Sequence, residues 1–394
     1  MTKKKIGMII YANPDYYPPT VNAVHLLSEH FDIVLIGRNC EPTSVTYPHN
    51  VNVHRLGNYS SERVRISLSF NIKLWEYFKF IHQSHGLLQE VDFLYVYEPF
   101  AFIAGYLYKL RFNQNIPIIY HCHEVPDNLS PLSSLTGWVQ QLEKLWVNKV
   151  VEVIQPEKER AIHYQQLIGL KTAPIIVPNY PLSSFFDFDL EWNNLIHQRW
   201  NKPTLFYRGS ISNNISMFEI IQSLKLLLAN TSTVLQCNFV GFLNKNIGED
   251  LDREVARLDL KNNFSYLGRV TLYQDVQKVT LSASIGFCLY KSSSKGTQYT
   301  VTSSNKIYEY AACGLPVIVS DFPNYREFLE NESWIRFANP DDPQSIADAI
   351  KDILSNFEDY QKMCLAARQA FEERFNYETV FTPLLNKIIS LVEK

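Results

Sequence analysis

At 394 residues, with 46% hydrophobic and 20% charged residues, the chain is longer than one ordinary core needs and fits two globular domains. A formal net charge of -3 excludes a strongly basic nucleic-acid platform. The 6 cysteines, at positions 40, 122, 237, 288, 313 and 364, form no C-x-x-C pair, which excludes a zinc finger or a disulfide scaffold and fits reduced thiols in the cytoplasm.

The opening "MTKKKIGMIIYANPD" has a basic head, but its apolar run breaks at Asn13-Pro14-Asp15, and it reads as a first buried strand, not as a signal peptide. No stretch approaches the roughly 18 apolar residues of a spanning helix. Strands are expected at "IGMIIYA", "FDIVLIG", "VNVHRLG", "DFLYVYE", "PIIYHCHE", "VVEVIQP" and "APIIVPN", with helices such as "TVNAVHLLSEH", "PFAFIAGYLYKLRF" and "SSLTGWVQQLEKLWVNKV" between them. After a polar, aromatic stretch around Ser183 to Lys202, a second series follows: "TLFYRGS", "LQCNFVG", "NFSYLGR", "IGFCLY", "PVIVSD" and "WIRFA". Its helices include "MFEIIQSLKLLLAN", "VQKVTLSA", "NKIYEYAA" and "PQSIADAIKDIL". Two α/β series in succession imply two Rossmann-like domains facing a cleft. The boundaries fall at 1–185 and 186–375, and 376–394 is an amphipathic helix with no strand after it.

The stretch "TSSNKIYEYAACGLPVIVSD" carries the chemistry. Ser303 and Ser304 are good N-cap residues, no helix breaker interrupts the run to Cys313, and Gly314 suits a left-handed stop before a strand. A helix start offers free N–H groups and partial positive charge, so it is suited to phosphate. Asn305 and Lys306 suit an anion. Glu309, one turn on, suits hydroxyls. Together they fit a nucleoside diphosphate, while a surface glutamate on an amphipathic helix is the plain alternative.

"SSNKIYEYAACGLPVIVSD" resembles the nucleotide-sugar motif of glycosyltransferase family 4, the retaining GT-B enzymes, and the likeness extends along most of the chain. "IIVPNYP" is similar to the segment closing that family's first domain, and "TLFYRGSISNNISMFEIIQSLKLL" to the strand, glycine turn and helix opening its second. "NFSYLGRVTLYQDVQKVTLSASIGFCLY", "RFANPDDPQSIADAIKDIL" and "EERFNYETVFTPLLNKI" follow in the family's order. The resemblance implies a GT-B fold whose last helix crosses back to the first domain.

Of the family's paired glutamates, the ribose-holding one matches Glu309, while the other falls at Val301, which is not acidic. Lys291, Gly296 and the polar run from Thr297 to Ser304 can supply donor contacts instead. Arg208, beside Gly209, matches the family's diphosphate-binding arginine, but Asn213 and Asn214 stand where a lysine is common. "IPIIYHCHEVPDN" resembles the strand leading to a histidine and an acid at the cleft, so His123 and Glu124 are candidate donor-sugar or acceptor contacts and His121 a structural residue. Glu98, at a strand end, is a candidate base or acceptor-positioning group, or simply a helix cap. H-x-H with Glu124 and Asp127 also permits a metal reading, but the resemblance implies no protein-held metal and no cofactor.

The implied reaction moves a sugar from a nucleoside diphosphate, UDP- or GDP-linked, to a sugar, lipid-linked or polysaccharide acceptor, with retention and by front-face attack. Its setting by analogy is bacterial polysaccharide or glycolipid assembly. Two rivals stand beside it: a nucleotide-sugar epimerase, and a non-catalytic subunit supporting a partner transferase, which the missing acid at Val301 keeps open and the retained Arg208, Lys306 and Glu309 argue against. A dehydrogenase is disfavoured because no G-x-G-x-x-G follows the first strand. "ERVRISLSFNIKLWEYFKF" mixes Arg63, Arg65, Lys73 and Lys79 with Phe70, Leu74, Trp75 and Phe78, which admits either peripheral contact with the inner face of a membrane or an ordinary packed helix with solvated charges.

Overall fold

In the computed structural model, residues 3–40, 45–59, 68–229, 234–243, 245–270, 273–293 and 295–392 are described. The chain divides into two units, Met1–Asn179 with Val380–Lys394, and Tyr180–Thr379. Arg63 and Arg65 lie outside the described residues.

The first unit runs β1 (Lys5–Ile10), α1 (Pro18–Ser28), β2 (Asp32–Arg38), β3 (Val51–Leu56), α2 (Phe70–Leu87), β4 (Phe93–Tyr97), α3 (Glu98–Arg111), β5 (Ile118–His121), α4 (Leu135–Trp146), β6 (Glu152–Gln155), α5 (Lys158–Ile168) and β7 (Ile175–Ile176). Its seven strands lie in the order β3-β2-β1-β4-β5-β6-β7, and every pairing is parallel. Helices cover such sheets on both faces, which is why β1, β2 and β4 read as unbroken apolar runs, not as alternating ones. The strand expected at "APIIVPN" shrinks to two residues, because it sits at the sheet edge and Pro178 removes a ladder donor.

The second unit runs α6 (Trp192–Asn201), β8 (Thr204–Arg208), α7 (Met217–Leu228), β9 (Gln236–Val240), α8 (Lys245–Arg257), β10 (Phe264–Tyr266), α9 (Tyr273–Leu281), β11 (Ile285–Cys288), α10 (Lys295–Gln298), α11 (Asn305–Ala312), β12 (Val317–Ser320), α12 (Pro323–Leu329), β13 (Ile335–Ala338), α13 (Pro343–Ile353) and α14 (Phe357–Glu373). Its sheet order is β10-β9-β8-β11-β12-β13, again parallel throughout. The last helix, α15 (Tyr377–Val392), starts in the second unit and continues as part of the first.

In both sheets the strand order reverses once, between β1 and β4 and between β8 and β11. Crossovers leave to opposite sides there, so a crevice opens at the carboxyl ends of these strands, where ligands of such sheets bind.

The polar stretch before the second series hides a helix. In α6, Ile196 and Arg199 are buried. Arg199 donates to the carbonyls of Leu281 (2.9 Å), Gly314 (2.9 Å) and Cys313 (2.8 Å). Arg368 from α14 donates to Ala312 O at 2.6 Å. The carbonyl end of α11 would otherwise leave acceptors unpaired in a dry interior; two guanidinium groups satisfy them and offset the negative end of the helix dipole. Gly314 ends α11 with φ 61°, a conformation glycine adopts without strain.

Candidate diphosphate and sugar sites

At the switch point of the second unit, β8 ends in Arg208 and β11 runs on to Tyr290 and Lys291, with α11 beginning beside them. The Arg208 guanidinium contacts the buried Glu309 carboxylate, pairing the end of β8 with the second turn of α11. Tyr310 OH accepts the Arg208 N–H at 3.0 Å, which fixes the same junction from the backbone side. Gly286 makes that possible: a Cβ there would lie 2.4 Å from the Tyr310 ring.

Lys306 is different in kind. Its Nζ donates to Tyr290 OH at 2.7 Å and lies over the rings of Tyr290 and Tyr207, 4.4 Å and 5.2 Å from their centroids. No carboxylate pairs with it among the described residues. A cation held only by phenols keeps its charge for an incoming anion.

The turn after β8 is tight. Gly209 has φ 130°, and a Cβ there would come within 3.3 Å of Lys306 Cε. Gly241, at the end of β9, has φ 144°, and a Cβ there would sit 1.8 Å from Gly209 O. Two glycines therefore let neighbouring strand-end loops touch and leave backbone exposed next to the lysine.

The helix start departs in detail from the sequence expectation. Ser304 stands at the N-cap of α11 but its hydroxyl makes no capping bond; it lies 3.6 Å from Cys288 Sγ and 3.3 Å from Tyr290 OH. Ser303 Oγ donates instead to Tyr299 O at 3.3 Å. The first N–H groups of α11 are thus left without a side-chain cap, as an anion site requires. Lys291 is bound by Glu219 at 2.6 Å. Val301 is buried, and its carbonyl accepts from Tyr308 OH at 2.7 Å.

In the first unit the switch point holds Glu98, His121 and His123. Glu98 has φ 63°, left-handed backbone in a non-glycine residue, at the elbow where β4 turns into α3. It does not cap α3: Glu98 Oε1 accepts the His123 N–H at 2.8 Å, tying the loop after β5 to the end of β4. Burial, and then the Glu124 carboxylate, raise its pKa from an ordinary 4.5 to about 8. Arg160 from α5 holds the same loop from the other side, donating to His123 O at 2.8 Å. Burial, then the Arg160 charge, lower the His123 pKa to about 3, so its imidazole is neutral at physiological pH.

Both ring nitrogens of His123 are buried and without a hydrogen-bond partner among the described residues, in contrast to His121 Nδ1, which lies 2.9 Å from Tyr95 OH. The Tyr97 ring stacks on both imidazoles. Glu124 is largely exposed, with Arg160 at 3.7 Å. Among the described residues, no group of three or more His, Cys, Asp or Glu could hold a metal ion, so His121, His123, Glu124 and Asp127 do not form the cluster the spacing permitted.

Sequence reading missed Tyr207, Tyr290, Tyr310 and Gly241. Tyrosines in or beside apolar strand and helix runs read as core, and only the fold shows the hydroxyls of Tyr290 and Tyr310 turned to Lys306 and to the Arg208 backbone. The Gly241 signal was available, since a glycine directly after a strand in such a sheet often marks a ligand-side turn.

Two parallel, doubly wound sheets with charged groups at a switch point define the GT-B class of fold, and the comparisons with known proteins agree. Residues 194–370, which lie in the second unit, match the family model described as Glycosyl transferases group 1. Among solved structures, sucrose-phosphate synthase from Thermosynechococcus elongatus is similar with a TM-score of 0.72 at 14% identity, covering 99% of each chain. HepE from Anabaena, in complex with UDP and glucose, gives 0.70 at 15% identity, over 98% of this chain and 100% of that one. A trehalose-6-phosphate structure from E. coli bound with UDP-2-fluoro glucose gives 0.71 at 10%, over 99% of both. No curated protein matches the sequence. Among the described residues, no helix is long and apolar enough to cross a membrane.

Proposed function

We propose that the protein transfers a sugar from a nucleoside diphosphate to an acceptor hydroxyl. One observation carries the reading: Lys306, a cation with no carboxylate partner among the described residues, stands at the start of α11, where Ser304 makes no capping bond, beside Gly209 and the Arg208–Glu309 pair. Arg208, Lys306 and the first N–H groups of α11, from Asn305 on, would hold the diphosphate and stabilise the charge that develops on it as the sugar leaves, with Gly209 leaving room beside them. The N–H groups of Gly209 and Ser304 are taken up by Val240 O and Thr300 O, at 2.9 Å each, so Ser303 and Ser304 would take part through their hydroxyls. A carboxylate has about four acceptor positions. Glu309 can therefore keep Arg208 and still accept from a ribose diol.

In the first unit, Glu98, His123 and Glu124 are assigned to the sugar and acceptor side. The neutral imidazole of His123 can donate one hydrogen bond and accept another, which suits a sugar hydroxyl. Glu98 works as a positioning group, since its carboxyl is spent on the His123 loop. Val301 leaves the donor sugar without the family's acid, so its contacts come from the 297–304 run. These assignments give Glu124 a contact role and no carboxylate the role of nucleophile, so the reading is front-face retention without a protein-held metal. UDP is the first donor base to test, because structures similar to this chain carry UDP or a UDP-sugar.

Calorimetric titration of UDP and GDP into wild type, Lys306→Ala and Glu309→Ala tests the assignment. Binding of one nucleotide, weakened in both variants, supports it. Absence of binding by either would put the non-catalytic partner role in its place.

A further inference from the structure

Eight of the exposed large apolar side chains of the protein lie on or beside three helices of the first unit: Ile72, Trp75 and Phe78 on α2, Leu110 and Phe112 at the end of α3, and Leu132, Trp138 and Leu145 on and just before α4. Trp75 is 71% exposed, more than any other of them. These helices pack side by side. Phe70 meets Trp138 edge-on at 5.6 Å, and His85 meets Phe112 in the same way at 5.6 Å, so the three helices form a continuous surface. Between α2 and α3 a groove of about 380 Å³ is lined by Phe78, His82, Leu110 and Arg111 among others.

Charge identifies what this face meets. Each helix has one acid, and none faces outward as a free charge. Glu76 is paired with Arg38 at 3.3 Å, Glu98 accepts from the His123 loop, and Glu143 is buried, accepting from Tyr120 and Tyr164 at 2.6 Å each. The exposed charges on the three helices are Lys79, Arg111 and Lys144, all cationic, in a protein whose net charge is negative. Large exposed tryptophans and phenylalanines interleaved with cations that have no acidic partner among the described residues suit the headgroup region of an anionic bilayer, where rings enter the acyl boundary and lysines meet lipid phosphates. A protein partner of ordinary composition would call for acceptors and charges of both signs on the rim.

We propose that α2, the end of α3 and α4 form a docking face for an anionic lipid surface, with Trp75, Phe78 and Trp138 as the inserting side chains and Lys79, Arg111 and Lys144 as the electrostatic contacts. The face belongs to the first unit and is independent of the nucleotide reading of the second.

The test is co-sedimentation with vesicles of phosphatidylcholine alone and of phosphatidylcholine mixed with phosphatidylglycerol, at low and high salt. Wild type should sediment with the anionic vesicles only, and less at high salt. Each cation near such a surface contributes roughly fivefold in affinity, so Lys79→Glu with Lys144→Glu should weaken binding about 25-fold or more. Trp75→Ser with Phe78→Ser should weaken it as well, including at low salt. All four positions are exposed, and thermal melting of the variants checks that they fold. Failure of wild type to sediment with anionic vesicles overturns the proposal, as does binding that ignores the charge reversals. A wild-type dimer by light scattering that Trp75→Ser with Phe78→Ser makes monomeric, with no vesicle binding, would make the face a self-association surface and overturn it too.

Discussion

The two switch points of the molecule solve different problems. In the second unit charge is concentrated: Arg208, Glu309 and Lys306 meet at one helix start, and tyrosine hydroxyls hold them. In the first unit charge is suppressed: Glu98 is pushed toward its neutral form, and His123 is kept neutral by burial and Arg160. A site for a phosphate anion needs cations that stay charged. A site for hydroxyls gains from groups that can donate and accept without carrying net charge into a dry interior.

The sharpest way to break this contrast is to remove the cation that only tyrosines hold among the described residues. Lys306→Ala should weaken UDP binding by about 2–3 kcal/mol, roughly 30- to 150-fold, because charge-assisted bonds to phosphate are lost; calorimetry reads it directly, and an unchanged Kd would remove the diphosphate from this helix start. Arg199→Leu comes next and acts on stability, taking the donor from the buried Gly314 and Cys313 carbonyls and from the half-buried Leu281 carbonyl. Urea unfolding of the second unit should lose about 3 kcal/mol. Glu309→Ala separates ribose from phosphate: UDP should bind about tenfold more weakly, while inorganic pyrophosphate binds no more weakly, since Arg208 loses its internal partner.

The smallest effect probes the neutral site. Between pH 4.5 and about 8 folded Glu98 holds a proton that the unfolded chain has released, so its contribution to stability is complete below that window and is lost as pH rises through it. Glu98→Gln keeps the acceptor oxygen and cannot ionise. Its Tm relative to wild type should therefore rise across the window, by about 2–4 °C per kcal/mol recovered, and stay level above it. A difference independent of pH would show that the carboxyl is ionised in the folded protein.

Much of the second site was legible in the sequence because its signals are local. Glycine, cap residues, Lys306 and Glu309 lie within one strand-helix-strand run, and helical spacing alone puts the lysine and glutamate on the first two turns. Arg208 was legible from its strand end, but its pairing with Glu309 was not, since about a hundred residues separate them and only the sheet order brings them together. The first site was harder. Nothing in "YVYEPF" announces a left-handed Glu98, and residues before proline are ordinarily extended. The stretch before β8 reads as polar and aromatic, and α6 went unseen because its key buried residue is an arginine, whose carbonyl partners are far along the chain.

That arginine has a further consequence. Arg199 and Arg368 fix α11 by its carbonyl end, while the turn that would meet the donor sits at the opposite end. The helix is anchored like a post set in the ground. Its top, residues 303 to 306, is no part of that anchor and is held instead by Cys288, Tyr290 and Tyr207, so a change of donor in this scaffold calls for new side chains at the top together with those neighbours, and none at the anchor.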